Sequence, residues 1–147
     1  MATYPDPPPA SGAPGGKTSF MNLDSNVGAM LCYIANFLCC LGLVLAIVFL
    51  FTEKDNRFVK FHAVQSLFLC ALQIAVGIVV GILGALLSIV LNMVDMALLA
   101  WILMIGLRLL LFAIFIVLWI IGGMKAYGGQ WYKLPIIGNL AWNTVNK

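Results

Sequence analysis

Three long apolar stretches dominate the chain, at residues 27–51, 61–91 and 97–127, with short polar breaks between them. At 1.5 Å per residue, the 25 residues of the first make a helix of about 37 Å, enough to cross a bilayer. Asp24, Ser25 and Asn26 precede it and can cap its first turn, and Asn36 is its one polar interruption. The second stretch exceeds the hydrocarbon thickness and is expected to tilt, with Asn92 and Asp95 marking its far end. The third contains Arg108 and admits two readings. It forms one long span, or residues 96–107 lie at the interface while 109–124 cross and Arg108 snorkels to the head groups. Gly128 and Gly129 then stop the helix, and Trp131 and Tyr132 are expected to anchor at the interface. After Pro135, Ile136, Ile137, Leu140, Ala141 and Val145 share one face of a short amphipathic helix.

At about 100° per residue, the second stretch divides its chemistry between faces. His62, Gln65, Ser66 and Gln73 gather on one side, and Gly77, Gly81, Gly84 and Ser88 continue along it. Val64, Phe68, Val79, Ile82, Leu86 and Ile89 lie opposite. Small residues let backbones approach and polar groups in lipid need protein partners, so the glycine face is a packing surface, within the chain or between copies. The bulky face is expected to meet lipid.

Composition agrees: 63% of the residues are hydrophobic, only 9% are charged, and the mean hydropathy is +1.07. A soluble domain of that make-up would lack the polar surface to cover itself. The expected architecture is therefore all-α, a small bundle of three transmembrane helices plus the short C-terminal helix, with four membrane segments as the alternative. Residues 1–22, rich in Pro, Gly and Ala, are expected to form a disordered tail without a secretory signal; residues 23–147 form the membrane domain, with 128–147 its interfacial end. Lys54, Arg57 and Lys60 lie in the first connection and Lys125, Lys133 and Lys147 at the C-terminal end, against Lys17 alone in the tail. With three crossings, this asymmetry places the N-terminus outside and the C-terminus in the cytoplasm, in a plasma membrane.

Much of the polar chemistry sits in "NRFVKFHAVQS", residues 56–66. Arg57 and Lys60 suit anionic head groups, Phe58 and Phe61 suit an interfacial anchor, and His62, Gln65 and Ser66 turn toward neighbouring helices. His62 is the chain's one histidine. A catalytic base needs a nucleophile and an orienting group, and Ser66 one turn away comes without an acid on that face, so a hydrogen-bonded structural histidine is expected. Arg108 shares a face with Trp101, Phe112, Phe115 and Trp119, which suits a cation–π cluster. Cys32, Cys39, Cys40 and Cys70 lie in apolar runs without a Cys-x-x-Cys pair and read as packing residues. No metal site, cofactor or nucleic-acid partner is indicated, and neither HExxH nor paired intramembrane acids point to an enzyme.

"LDSNVGAMLCY" before the first stretch, "EKDNRFVKFHAVQS" after it and "YKLPIIGNLA" after the last occur in order. Together they resemble a bacterial integral-membrane domain family of unknown function, related to the channel-forming subunit of the chloroplast inner-envelope protein import translocon. Arg57, Phe58, Lys60, Phe61, His62, Ala63, Gln65 and Ser66 carry the first motif, and Lys133, Leu134, Pro135 and Gly138 the C-terminal one. The resemblance implies a bacterial inner-membrane protein. The functional expectation is a non-enzymatic assembly or translocation-associated subunit that pairs with itself or with other membrane subunits. A small channel or transporter component is the alternative.

Overall fold

A computed structural model describes residues 16–38, 40–53 and 56–145. The expectations for residues 1–15, Cys39, Lys54, Asp55 and Lys147, and for the Cys40 side chain, lie outside what is described. The described residues form five α-helices: α1 (Ser25–Ile34), α2 (Cys40–Thr52), α3 (Arg57–Asn92), α4 (Ala97–Tyr127) and α5 (Ile137–Val145). A 3₁₀ turn, Ala35–Leu38, follows α1.

The stretch 27–51 is not one continuous helix. It breaks at the 3₁₀ turn into helices of 10 and 13 residues, about 15 and 20 Å long, each short of the ~30 Å hydrocarbon core. Asn36 sits buried at the break and donates from Nδ2 to the Cys32 carbonyl at 3.3 Å. The absence of a side chain at Gly42 lets α2 start hard against the Asn36 backbone. The two helices run back to back: a Cβ on Gly28, in the first turn of α1, would meet the ring of Phe49, in the last turn of α2, at 3.6 Å. Two helices remain that are long and apolar enough to cross, α3 and α4. In place of the one long helix expected there stands a helical hairpin whose two ends lie together.

Hydrogen bonds fix that end. Asn56 caps α3 by accepting from the Val59 N–H at 3.2 Å, while its Nδ2 donates to Ser25 Oγ. Residues 16–24 fold over the same end rather than trailing as a tail. The Thr18 N–H bonds the Leu23 carbonyl at 2.7 Å, and the Ser19 N–H and hydroxyl bind the buried Glu53 carboxylate. An isolated bridge joins Lys17 to Asp24.

At the opposite end, residues 93–96 turn α3 into α4. Asp95 takes a φ of 55°, a left-handed conformation that its short polar side chain tolerates, and the Met96 N–H bonds back to the Leu91 carbonyl at 2.8 Å. α4 occupies the whole of the predicted third stretch as one helix and returns to the starting end. There α5 packs back on α3 through Ile137 and Ala141, whereas Leu140 and Ile136 of its predicted apolar face are exposed. The described chain therefore enters and leaves at one end of the bundle, here called the base. This corrects the expectation that the N- and C-terminal sides lie on opposite faces.

The core occupies the lower half. Tyr33, Phe49, Phe58, Leu69, Phe115 and Trp119 belong to one buried cluster, and Phe61, Val64 and Ala141 to a second. Above Leu72, α3 and α4 touch little but each other, and Val79, Ile82, Leu86 and Ile89 are exposed as expected of lipid-facing residues. Val64 and Phe68, on the same stripe lower down, are instead covered by neighbouring helices.

Candidate functional site

The base is organised around His62, which is fully buried. Its position follows from three local features. Asn56 starts α3 so that His62 falls in the second turn, on the face toward α1 and α4. Tyr33, near the end of α1, reaches across α4 because Gly122 and Gly123 give it room: a Cβ on Gly122 would sit 2.5 Å from the Tyr33 ring. Finally, α4 ends in a Schellman motif. Gly129 takes φ 69°, the Gly129 N–H bonds the Ala126 carbonyl at 3.0 Å, and the Gln130 N–H bonds the Lys125 carbonyl at 2.9 Å. That tight stop leaves the Gln130 carbonyl facing His62.

Both ring nitrogens are engaged. Nε2 lies 3.1 Å from the Gln130 carbonyl oxygen and Nδ1 lies 3.1 Å from the Tyr33 hydroxyl. A carbonyl only accepts, so Nε2 carries the proton and Nδ1 accepts from Tyr33: a neutral imidazole with each site matched. One turn on, Gln65 donates from Nε2 to the Tyr132 carbonyl at 3.2 Å. The histidine and the glutamine thus clamp residues 130–132 onto α3. Ser66 takes no part, because its hydroxyl donates to the Ala63 carbonyl of its own helix at 3.0 Å.

Aromatic rings close the site. Phe58 and Phe61 pack edge-on against His62 at 4.7 and 5.0 Å between centroids, and Trp131 packs on both phenylalanines at 5.3 and 5.5 Å. Trp142 of α5 completes the wall, 5.9 Å from Phe61 and 5.7 Å from Trp131. Phe58 and Phe61 are therefore not interfacial anchors; both are fully buried. Trp131, expected in the same role, is half-buried in this stack.

Charges ring the outside of the base. Lys133 Nζ lies 4.4 Å over the Trp142 ring and Lys125 Nζ 5.6 Å over Tyr132. Arg57 is exposed and Lys60 half-exposed. Gly138 is needed where α5 begins, since a Cβ would sit 2.6 Å from Lys133 Cα. Next to it, Ile136 holds φ 70°, rare for a β-branched residue. The C-terminal motif is thus a tight corner, with the Gly138 N–H bonded to the Leu134 carbonyl at 2.9 Å, and Leu134 is buried in the main core.

The other predicted site residues lie elsewhere. Arg108 is exposed beside a groove between α3 and α4, together with Gln73 and Gly77 on one side and Gly81, Gly84 and Ser88 on the other. Among the described residues cation–π pairs join Lys125 with Tyr132 and Lys133 with Trp142, not the expected cluster around Arg108. Gly84 does serve intrachain packing, for an added Cβ would run into the Met104 side chain, whereas at Gly77 and Gly81 it would meet nothing. Cys32 lies in the core and Cys70 is half-buried. Among the described residues no three His, Cys, Asp or Glu side chains converge as a metal site. Sequence reasoning missed Tyr33, Glu53 and the carbonyls of Gln130 and Tyr132. Only the Gly128–Gly129 pair signalled that a fixed carbonyl would stand near the helix end.

Residues 24–141, from the start of α1 into α5, match the magnetosome magnetite crystal formation protein family, MamF/MmsF. The chain belongs to this family. The match includes Tyr33, His62, Gln65 and residues 130–132, and leaves out Trp142 and residues 16–23. A UPF0132 membrane protein of Methanocaldococcus jannaschii is 38% identical over 128 residues, covering 86% of this chain and 92% of that protein. A UPF0132 membrane protein of Archaeoglobus fulgidus is 32% identical over 123 residues, covering 81% and 93%. A second Methanocaldococcus jannaschii protein of that name is 29% identical over 121 residues, covering 82% and 70%. These relatives are archaeal rather than bacterial, and none of these findings links the chain to the chloroplast translocon. No solved structure matches the chain.

Proposed function

We propose that this chain is a non-enzymatic integral membrane subunit that acts by assembly in the plane of the membrane. In this reading α3 and α4 cross the bilayer, and the α1–α2 hairpin enters and leaves on one side. The observation that carries it is the use made of His62, the side chain best suited to chemistry at neutral pH. Both its nitrogens are taken up in joining α1, α3 and the segment after α4, behind a wall of aromatic rings. A group so enclosed orients helices and does not meet a substrate. The family description refers to magnetite crystal formation, and the relatives are named only as membrane proteins. Direct handling of iron draws no support from the described residues; a membrane component of a larger assembly fits both names.

Charge supports an orientation. Lys17, Arg57, Lys60, Lys125 and Lys133 stand at the base, while the α3–α4 turn holds Asp95 and no Lys or Arg. The positive-inside rule then sets the base, with both chain ends, in the cytoplasm. Electrophoresis under native conditions, from membranes dissolved in a mild detergent, tests the assembly. A discrete species well above the 16.0 kDa chain is expected, and a lone monomer at every protein concentration contradicts the proposal. The channel or transporter alternative rests on Arg108 and Gln73 beside the same groove. Ion flux from liposomes carrying the purified chain would favour it.

A further inference from the structure

We propose that the groove between the upper halves of α3 and α4 binds the phosphate of an anionic phospholipid, with Arg108 as its ligand. The inference rests on the reading that these two helices cross the bilayer.

Arg108 stands 11 residues into α4, about 16 Å along the helix from the α3–α4 turn and about 28 Å from the other end. Its surroundings are apolar, and Leu107, Leu109, Leu110 and Phe112 are exposed beside it. A bare guanidinium there costs about 2.5–3.5 kcal/mol on insertion scales, so it needs an anion or a route to one. The described carboxylates do not provide it. Asp24 and Glu53 are at the base, and Asp95 is in the turn, 13 residues before Arg108 in the chain.

The groove supplies the route. It encloses about 350 Å³, with a floor of Gly81, Gly84 and Ala85, and with Ser88 and Asn92 rising from Arg108 toward the turn. Ser88 donates to the Ala85 carbonyl, which leaves its oxygen to accept from a guanidinium, and Asn92, exposed at the mouth, has an amide that can donate to a phosphate. Arginine at the deep end and polar groups toward the head-group level form a graded path into an otherwise apolar wall. A guanidinium binds a phosphate through two parallel N–H donors, and a side chain that reaches up the groove meets the lipid phosphodiesters at the head-group level. The acyl chains would lie along Val80, Leu111 and Phe112, which line the groove on the far side of Arg108 from the turn. A second copy related by a two-fold axis fits this groove poorly, because it would bring a second Arg108 toward the first. A lipid phosphate is held at the mouth of the groove by its acyl chains, which free phosphate lacks.

The test uses the full chain purified in detergent and native mass spectrometry. The probes are dioleoylphosphatidylglycerol, dioleoylphosphatidylcholine and inorganic phosphate. Wild type is expected to hold phosphatidylglycerol about tenfold more tightly than phosphatidylcholine, and to hold no inorganic phosphate. Arg108→Gln should remove that preference. Arg108→Lys, which keeps the charge but not the paired donors, should fall between. Ala85→Leu keeps the arginine and fills the floor, so it should also lose the lipid, while Ile82→Leu should not. The proposal is overturned if Arg108→Gln or Arg108→Lys binds phosphatidylglycerol as wild type does, if the two lipids bind alike, or if the species that depends on Arg108 is a lipid-free dimer. Should α3 and α4 not cross at all, side-specific labelling of the turn would reveal it independently of lipid retention.

Discussion

The lower and upper halves of α3 belong to one helix and use their polar residues in opposite ways. From Arg57 to Leu69, His62 and Gln65 point inward, are buried and bond to backbone carbonyls of residues 130–132. From Gln73 to Asn92 the polar and small residues face a groove, and the bulky ones are exposed. The difference comes from what surrounds each half. Four other elements converge on the lower half, namely the loop 16–24, the α1–α2 hairpin, the end of α4 and α5. Only α4 accompanies the upper half. Where several backbones meet away from water, an unmatched donor or acceptor is costly, and a histidine with two distinct ring nitrogens can match two elements at once. Where two helices run alone, van der Waals contact at small residues holds them, and the exposed surface suits lipid.

If that contrast is right, substitutions at the base should cost far more than those above it. His62→Leu should have the largest effect. It strands the Gln130 carbonyl and the Tyr33 hydroxyl, a loss of roughly 2–5 kcal/mol that should appear as a large fall in melting temperature in detergent. His62→Gln keeps one hydrogen bond and should lose about half as much. A variant that melts like wild type but abolishes the cellular phenotype would instead mark His62 as an active group.

Next in size is Gly122→Ala. Its methyl group would press the Tyr33 ring off His62, at a cost of about 1–3 kcal/mol. Gly138→Ala should behave similarly, because the obstacle is Lys133 backbone, which cannot yield as a side chain can. In the upper half, Gly84→Ala should cost no more than about 1 kcal/mol, since the flexible Met104 side chain can move aside. Gly81→Leu should change the melting of the single chain by about 0.5 kcal/mol or less, because open space receives the side chain. If it broke up an oligomer while leaving that melting unchanged, the glycine face would be a contact between copies. Ile82→Leu should be the mildest, within about 0.5 kcal/mol.

How far the sequence could be read follows the same division. The upper part of α3 is legible, since an uninterrupted apolar run ended by Asn92 leaves few alternatives, while Arg108 left α4 open between one span and an interfacial segment with a shorter one until the structure showed a single helix. The break after Ile34 is not legible, because both α1 and α2 are apolar and their sum has the length of a span. Asn36 was noticed as an interruption, but its meeting with Gly42 depends on a reversal that hydropathy does not register. Phe58 and Phe61 were misread for a related reason. Their burial depends on Trp131 and Trp142 returning more than 60 residues later, and a local pattern carries no sign of that. That His62 is hydrogen-bonded is legible in the sequence, but its partners are not, because they are a tyrosine on another helix and a backbone carbonyl.

The central claim is that the α1–α2 hairpin turns back, so that both termini of the domain share the base. It is tested most directly by labelling single cysteines, on a background without the native ones, with a membrane-impermeant maleimide in sealed vesicles of known orientation. Three exposed positions suffice: Met21 before α1, Met93 in the α3–α4 turn and Asn143 in α5. The account predicts that Met21→Cys and Asn143→Cys react from one side and Met93→Cys from the other. Reaction of Met21→Cys from the same side as Met93→Cys would mean that residues 27–51 cross the membrane after all, and would contradict the account.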